Sequence, residues 1–480
     1  MLKEAIVREL RRIAGRDNVL TAPEVLKVYA YDGTTNWIHE PEVVVLPSNT
    51  RQISAVMQLA NAHRIAVTPR GGGTNVSGGS VPVMGGVVLC TTRMNKVLRV
   101  DKENLSATVE TGIILQDLTA RLAQDGLFFP PDPQSFFGAT LGGAIAENAG
   151  GPSCLKYGVT KQYILGLEVV LPTGEIAHLG GRTLKNVVGY DLLHLFISSE
   201  GTLGVVTTAE LKLRPIPPAR KTIMVVYDSV EKAGESVSRV FESGVIPCKI
   251  ELLDNWVINS MEEMLHLGLP TDAEAVLLFE TDGMVEAVEK EAETIVKIVK
   301  KHGAVDVRVA PDSEEANKYW LARRAGFASI VGRAPNVFTE DVTVPIGKMP
   351  GLTRKCRQLA EKYKLDIVVL GHAGDGNLHP SILTDVGDKD LYERSLKALD
   401  EIMQATIEMG GVLSGEHGIG LEKRKFFRQA VDPVALDLMK KIKTLLDPNN
   451  VMNPGKIWDE SADYSANAPG KGVTTRSARR

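Results

Sequence analysis

The sequence predicts an α+β protein with two large domains, and three observations carry this prediction. At roughly 100–200 residues per domain, 480 residues are enough for two or three domains. Up to about residue 216, short β-rich runs alternate with helical stretches and dense glycine loops. Beyond residue 221, β-like runs bracket long charged helices, which is typical of an antiparallel sheet with helices on one face.

The first domain is predicted over residues 1–216. Its β-rich runs are 43–46, 86–89, 164–171 and 205–213. The domain ends at the segment Pro215-Ile216-Pro217-Pro218, because three prolines in four residues cannot continue a strand ladder.

The second domain is predicted over residues 217–430, and two further segments follow it. Its β-like runs are 222–227 and 275–280, and its helices are 284–302 and 313–328. Residues 431–458 read as a helix closed by a D-P-N-N turn and an N-P-G-K ending. Residues 459–480 have few large apolar side chains, so a disordered tail is predicted there.

Composition excludes several classes of partner. With 55 Lys+Arg against 59 Asp+Glu, the formal net charge of −4 offers no basic surface for nucleic acid. The longest uncharged stretch, 71–92, is half glycine and small polar residues, so no transmembrane helix is predicted. The N-terminus lacks the continuous apolar core of a signal peptide, which predicts a cytoplasmic protein.

The four cysteines stand singly, at positions 90, 154, 248 and 356. Single cysteines suit a reducing compartment and predict core side chains. They also exclude an iron–sulfur or thiolate–zinc site built from this chain alone.

A glycine-rich loop, Arg70–Gly79, follows a predicted strand at 65–68. Consecutive glycines let backbone N–H groups converge on one point, which is what a phosphate or pyrophosphate needs. The loop is not a Walker A motif, and Val76 breaks the G-x-G-x-x-G pattern. The alternative is a flexible surface loop.

Three more segments of the first domain combine glycine with small polar residues. They are 130–135, 138–151 and 199–207. Four such loops exceed what turns require, and together they indicate a large polar ligand with phosphate groups.

These motifs resemble the flavin-binding domain of the vanillyl-alcohol oxidase and p-cresol methylhydroxylase (PCMH) family. The resemblance implies a two-subdomain, PCMH-type fold that binds FAD. Some members attach FAD covalently through a histidine where this chain has Thr74, so non-covalent FAD is implied. The residues that the resemblance assigns to FAD are Arg70, Gly71, Gly72, Gly73, Thr74, Asn75, Ser77, Gly78, Gly79, Pro133, Ser135, Gly142, Gly143, Asn148, Gly150, Gly151, Glu200, Gly201, Gly204, Val206 and Asn453.

Three histidines fall in two short motifs, G-H-A-G-D-G-N-L-H and G-E-H-G-I-G. A two-residue Asp375-Gly376 hairpin turn would place His372 directly opposite His379. Imidazoles at such positions can share one metal ion.

Glu416 is the predicted third metal ligand, in a His2Glu set with open positions for substrate. His417, the next residue, is then predicted to act as a base. The alternative is that these histidines cap turns or fill the core. Asp375 is a further possible ligand, although turn chemistry explains it.

The histidine motifs resemble the subgroup of the family that oxidises 2-hydroxy acids. This subgroup includes the glycolate oxidase flavoprotein subunit and the FAD-linked D-lactate and D-2-hydroxyglutarate dehydrogenases. The resemblance implies metal ligands at His372, His379 and Glu416 and a catalytic base at His417. It also implies that Arg323, in W-L-A-R, binds the substrate carboxylate; from the residues alone, Arg324 is an open alternative.

The predicted reaction is oxidation of a small (D)-2-hydroxy acid, glycolate or D-lactate, by hydride transfer to FAD. The alternatives are a D-2-hydroxyglutarate dehydrogenase, another FAD-linked alcohol oxidase of the same fold, a zinc-dependent hydrolase and a non-catalytic electron-transfer subunit. Zinc suits the ligand set, but manganese, iron or cobalt can occupy it.

Electrons must leave the flavin, and the resemblance implies an iron–sulfur subunit leading to quinone, or an electron-transfer flavoprotein. Such a partner could associate the protein with the inner face of a membrane. The basic tail, 471–480, could contact a partner or membrane, or be a solvated terminus.

Overall fold

The computed structural model describes residues 2–34 and 36–458. The chain forms two compact units. Unit one comprises Met1–Ala149, Val159–Pro215 and Glu416–Arg480, and unit two comprises Gly150–Gly158 and Ile216–Gly415.

The secondary structure of the described residues comprises nineteen strands and fifteen α-helices. The strands are β1 Val19–Leu20, β2 Val43–Val45, β3 Val67–Arg70, β4 Val87–Cys90, β5 Val97–Asp101, β6 Ser106–Glu110, β7 Leu127–Phe128, β8 Ile164–Val170, β9 Ile176–Gly180, β10 Val205–Lys212, β11 Arg214–Pro215, β12 Ala219–Tyr227, β13 Lys249–Asp254, β14 Ala275–Gly283, β15 Ala304–Val309, β16 Asn336–Thr339, β17 Val342–Thr343, β18 Ile367–His372 and β19 Asn377–Thr384. The helices are α1 Glu4–Ala14, α2 Pro23–Val28, α3 Thr50–His63, α4 Leu115–Ala123, α5 Leu141–Glu147, α6 Cys154–Tyr157, α7 Leu193–Phe196, α8 Val230–Glu242, α9 Asn255–Leu265, α10 Val285–Lys301, α11 Ser313–Val331, α12 Met349–Tyr363, α13 Lys389–Glu408, α14 Arg424–Ala430 and α15 Pro433–Leu446.

Unit one is built on two separate sheets. The first has four strands in the order β1-β2-β4-β3, with β4 parallel to both of its neighbours. The second is antiparallel, in the order β5-β6-β10-β8-β9, and β7 pairs with β11. The two sheets agree with the predicted two-subdomain fold.

Helix α3 shows how local sequence places the first sheet. The side chain of Asn49 caps the helix by accepting from the backbone N–H of Gln52, and Arg64 ends it in the left-handed conformation. The buried face, Ile53, Val56, Met57 and Ala60, joins the core that also contains Val67. This packing fixes β3, whose end delivers the chain into the glycine loop.

Unit two contains one large antiparallel sheet, in the order β15-β12-β14-β13-β18-β19-β16, with β17 also paired to β19. Helices α9 and α11 share a core with one side of this sheet, which includes Met224 and Leu253. The alternate residues Ile223, Val225 and Phe279 are also buried, and α8, α10 and α12 contact the strands. The antiparallel sheet is confirmed, but the expectation of helices on one face is wrong: both faces are apolar, so both need cover.

Unit two begins its main segment at Ile216, next to the predicted boundary, but it also includes Gly150–Gly158. Within that short segment, Lys156 Nζ and Tyr157 Oη donate to the Asp282 carboxylate, at 2.6 Å each. Asp282 lies on β14 and is buried, so these bonds attach the segment to the large sheet.

The chain returns to unit one at Glu416, earlier than the predicted boundary at residue 430. The backbone N–H groups of Ile419 and Gly420 donate to the carboxylate of Glu200, which belongs to unit one. Because these bonds precede α14, the return is complete before the predicted C-terminal segment begins.

Three predictions concern the termini and the cysteines. Residues 459–480, including the predicted disordered tail, lie outside the described part of the chain. No helix within residues 2–34 and 36–458 has the length and apolar composition that a bilayer crossing requires. Cys90, Cys248 and Cys356 are buried free thiols, as predicted for core side chains, whereas the thiol of Cys154 is only partly buried.

Candidate active site

The glycine loop of unit one packs directly on a second predicted flavin segment. A Cβ at Gly71 would overlap the hydroxyl of Thr140, and one at Gly72 would overlap the carbonyl oxygen of Gly138. At Gly72 the obstacle is a backbone atom, so glycine is required there for the two backbones to approach, whereas at Gly71 the obstacle is the side chain of Thr140. The sequence placed both segments at the same ligand, and the structure brings them together.

Hydrogen bonds made by side chains of the glycine loop hold its shape. Arg70 Nη1 donates to the carbonyl oxygen of Tyr31 at 2.7 Å. Asn75 Nδ2 donates to Asp32 at 2.7 Å, and its Oδ1 accepts from Ser80 Oγ at 2.9 Å. Burial raises the pKa of Asp32 to about 6, against the opposing effect of its hydrogen bonds. Arg70 and Asn75 are thus committed to the framework of the loop.

Asn453 joins three parts of unit one. Its backbone N–H donates to the carbonyl oxygen of Val67 at 2.8 Å. Its side-chain Nδ2 donates to the carbonyl oxygens of Gly79 at 3.0 Å and Glu200 at 2.8 Å. Asn453 is buried with φ +43°, a conformation that asparagine tolerates better than most residues. It therefore links β3, the glycine loop and the segment that begins at Ser199.

Glu200 positions the segment that carries His417. Its two carboxylate oxygens accept from the N–H groups of Ile419 at 2.9 Å and Gly420 at 2.7 Å. Burial raises the pKa of Glu200, although these two hydrogen bonds act in the opposite direction. The N–H of Leu421 also donates to the carbonyl oxygen of Ser77 at 2.7 Å. His417 is therefore held in the same unit as the glycine loop.

The remaining predicted FAD residues fall into two groups. Most lie in unit one, around α5 and the start of β10, where Thr140 caps α5 by accepting from the N–H of Gly143 at 3.2 Å. Those in unit one are Gly73, Thr74, Gly78, Pro133, Ser135, Gly142, Asn148, Gly201, Gly204 and Val206. Gly150 and Gly151 belong instead to unit two.

The hairpin that carries His372 and His379 differs from the predicted one. Strand β18 continues to His372, and β19 starts at Asn377, so the connection has four residues instead of two. His379 pairs with Leu370, and His372 pairs with Asn377. The N–H of Gly374 donates to the carbonyl oxygen of Ile250, and this bond draws residue 374 into the turn.

The corrected register keeps both histidines on one face, as diagonal neighbours. Their ring centroids are 5.3 Å apart and the rings are nearly perpendicular. The carboxylate of Asp375 accepts from the N–H of Asn377 at 3.2 Å, so turn chemistry accounts for this aspartate.

The Nδ1 atoms of both imidazoles face hydrogen-bond acceptors. His372 Nδ1 lies 2.7 Å from Glu251 Oε1, and His379 Nδ1 lies 3.3 Å from the carbonyl oxygen of Glu340. Because a carboxylate and a carbonyl oxygen only accept, each Nδ1 carries a proton, and Nε2 is the nitrogen of each ring that can bind a cation when the ring is neutral. Two buried imidazoles with this orientation have the donor chemistry of metal ligands.

Arg323 lies inside unit two, close to the same carboxylate. Its Nε donates to Glu251 Oε2 at 2.6 Å, and only 3% of the residue is exposed. One turn earlier on α11, Trp320 Nε1 donates to Thr222 Oγ1 at 3.2 Å and anchors the helix on β12. Arg324 is exposed. The structure therefore places Arg323, not Arg324, beside Glu251, the carboxylate that also contacts His372.

Glu251 is a functional candidate that the sequence prediction missed. Burial acts to raise its pKa, but the charges and hydrogen bonds of Arg323 and His372 outweigh this effect and lower it. The sequence did contain a signal for it, since Glu251 is the one carboxylate within the apolar run Ile250-Glu251-Leu252-Leu253. An acidic residue in a buried strand is rare unless it is paired.

The last predicted ligand, Glu416, lies where the chain leaves unit two. Within that unit, Ser414 Oγ donates to Asp341 Oδ2 at 2.5 Å, and Asp341 Oδ1 lies 4.0 Å from His379 Nδ1. Glu416 opens the returning segment of unit one, and its carboxylate lies 4.0 Å from His417 Nε2.

Comparison with protein families decides the assignment. A family model described as FAD linked oxidases, C-terminal domain, matches residues 216–457, and one described as FAD binding domain matches residues 41–180. The chain belongs to the FAD-linked oxidases. It is an FAD-dependent oxidoreductase of the glycolate oxidase and D-lactate dehydrogenase type.

The relatives in this family match along almost the whole chain. Glycolate oxidase subunit GlcD of Bacillus subtilis (strain 168) is 41% identical over 96% of this chain and 98% of its own length. D-lactate dehydrogenase of Anaerostipes hadrus is 34% identical over 94% of this chain and 97% of its own.

A solved structure confirms the predicted fold. The crystal structure of p-cresol methylhydroxylase with substrate bound superimposes with a TM-score of 0.78, at 18% identity. The alignment covers 96% of this chain and 98% of that one. The PCMH-type fold is therefore confirmed for this FAD-linked oxidase.

Proposed function

We propose that this FAD-linked oxidase oxidises a small (D)-2-hydroxy acid, such as glycolate or D-lactate, to the 2-oxo acid. The observation that carries the proposal is the grouping of His372, His379 and Arg323 in unit two. His372 and Arg323 share the carboxylate of Glu251, and the ring of His379 lies beside that of His372. A 2-hydroxy acid has a carboxylate and an adjacent hydroxyl, which call for a guanidinium and a Lewis-acid site. The full-length similarity to glycolate oxidase and D-lactate dehydrogenase chains supports the same substrate class.

In this proposal Arg323 binds the substrate carboxylate. Its Nε donates to Glu251, and the two Nη groups carry the other four N–H donors of the guanidinium. A guanidinium held at its Nε edge is pre-oriented, and its two Nη groups can bind a planar carboxylate. Bound FAD would accept the hydride from the α-carbon of the substrate.

The residues present fit a divalent cation. We assign His372 and His379 as ligands because their Nδ1 atoms face acceptors, which leaves the Nε2 atom of each ring to bind the cation. Glu416 is assigned as the third ligand; it directly follows Gly415, which packs against Asn377 and Thr343 inside unit two. A bound cation would lower the pKa of the substrate hydroxyl. The His2Glu set suits zinc.

His417 is proposed to remove the hydroxyl proton. Its segment is tied to Glu200 and to Ser77 of the glycine loop, both in unit one. Such attachment gives the imidazole a fixed position relative to the flavin loops, which proton transfer requires.

FAD is proposed to bind without a covalent link. Thr74 stands where a covalent histidine occurs in some members of the family, and threonine lacks a comparable nucleophile. Electrons are proposed to pass to a partner, either an iron–sulfur subunit or an electron-transfer flavoprotein. The relative named as a glycolate oxidase subunit supports a multi-component enzyme.

Metal removal tests the proposal. Dialysis against a chelator is expected to abolish turnover with a dye acceptor while the flavin absorbance stays, because the cation ligands and the flavin loops are different residues. Restoring one equivalent of Zn²⁺, Mn²⁺, Fe²⁺ or Co²⁺ should restore turnover and identify the metal. Full turnover by protein that analysis shows to be metal-free would contradict the proposed role of His372 and His379.

A further inference from the structure

Glu251 makes two short hydrogen bonds from the middle of the large sheet. It is fully buried on β13, at 0% exposure, where it is the register partner of His372 on β18. We propose that Glu251 is a positioning residue: it fixes His372 as a metal ligand and orients Arg323 for the substrate. This inference rests on the proposed function and extends it to a residue that makes no contact with substrate itself.

The two carboxylate oxygens serve different partners. Oε1 lies 2.7 Å from His372 Nδ1, and Oε2 lies 2.6 Å from Arg323 Nε. Each oxygen accepts one charge-assisted bond, so neither partner can move without losing its own acceptor. One side chain therefore couples the orientation of an imidazole on β18 to that of a guanidinium on α11.

The bond to His372 determines which ring nitrogen is able to bind a cation. A neutral imidazole carries one proton, and a carboxylate acceptor at Nδ1 keeps the proton there. Without that acceptor, the tautomer with the proton on Nε2 becomes accessible, and this tautomer cannot ligate through Nε2. Loss of such an acceptor typically weakens metal affinity by about 10- to 100-fold.

The bond to Arg323 acts on the substrate side. Trp320 anchors α11 to Thr222, so the backbone below Arg323 is fixed. The Nε bond then removes rotation at the end of the side chain and leaves the guanidinium plane in one orientation. Loss of the bond should therefore raise KM for the hydroxy acid, because binding of the substrate carboxylate would then have to fix the orientation of the Arg323 guanidinium.

The test compares Glu251→Gln with Glu280→Gln. Glu280 is a matched control because it is buried on the neighbouring strand β14, accepts from Thr222 Oγ1 at 3.2 Å, and bonds neither histidine. Zn²⁺ affinity of the FAD-loaded protein would be measured by competition with a chromophoric chelator, without any hydroxy acid. Glu251→Gln is expected to bind Zn²⁺ about 10- to 100-fold more weakly, and Glu280→Gln to bind like the wild type.

Steady-state kinetics at saturating Zn²⁺ supply the second readout. We expect Glu251→Gln to raise KM for the acid, since saturation restores the metal but not the orientation of Arg323. Wild-type Zn²⁺ affinity together with wild-type KM in Glu251→Gln would overturn the inference. If the glutamine variant does not fold, Glu251→Asp retains the charge but shortens the reach, and weaker Zn²⁺ binding is expected for it too.

The outcomes separate this inference from the proposed function. Wild-type protein that binds no divalent cation would remove the metal assignment itself. Wild-type protein that binds the cation, with a Glu251→Gln variant that matches it in both Zn²⁺ affinity and KM, would remove only the role of Glu251.

Discussion

His417→Ala is expected to lower kcat by about 10²- to 10⁴-fold, the range for loss of a general base, while FAD stays bound. The imidazole is the only proton acceptor that the proposal places at the substrate hydroxyl. The segment around it is held by backbone N–H groups of Ile419 and Gly420, which the substitution leaves intact. The flavin spectrum and the FAD stoichiometry should therefore match the wild type. The measurement is kcat with a dye acceptor, beside the flavin absorbance.

His63→Ala is the matched control, because His63 is an exposed histidine in the last turn of α3. It should retain wild-type kcat. If His417→Ala kept turnover within about threefold of wild type, well below the effect of losing a base, the role assigned to His417 would be wrong.

Gly72→Ala is expected to yield a folded protein that has lost most of its FAD. The added methyl group would overlap the carbonyl oxygen of Gly138, a backbone atom, so the glycine loop and the segment before α5 must separate. Both segments are proposed to bind FAD, and a shift of either would displace the backbone N–H groups that are proposed to bind its phosphates. Absorbance in the flavin band, relative to protein, measures the loss, and far-UV circular dichroism tests the fold.

Gly181→Ala provides the comparison within unit one, since no heavy atom lies within 4 Å of a Cβ built there. It should bind FAD normally. A Gly72→Ala protein with a full complement of FAD would show that this loop does not form the cofactor site.

The sequence was most informative where a short pattern of one residue type has few structural or chemical explanations. Consecutive glycines at 71–73 and paired histidines at 372 and 379 indicated two candidate sites. In the structure Gly72 packs on Gly138, a residue of another predicted flavin segment, and the two histidine rings are neighbours. Both patterns are local, because one loop and one hairpin contain them. The antiparallel sheet of unit two followed from its β-like runs in the same way.

The sequence was less informative where distant contacts decide the outcome. The turn after His372 has four residues because Gly374 bonds Ile250, a residue more than a hundred positions earlier. The early return to unit one depends on Glu200 accepting from Ile419 and Gly420. Hydrogen bonds of this kind leave no periodicity in the sequence.

Glu251 illustrates the same limit at the site itself. Its partners, Arg323 and His372, lie on a helix and a strand far along the chain. The sequence shows an unexpected carboxylate in an apolar strand, but only the fold shows which cations it meets.

An anaerobic visible spectrum of the metal-analysed protein is the most direct test of the proposed oxidation of a 2-hydroxy acid by FAD. The protein would be titrated separately with glycolate, D-lactate, L-lactate and D-2-hydroxyglutarate. We expect glycolate or one small D-acid to bleach the flavin band, and metal removal to prevent the bleaching. A yellow, metal-loaded protein that none of the four acids bleaches would contradict the proposed oxidation of 2-hydroxy acids.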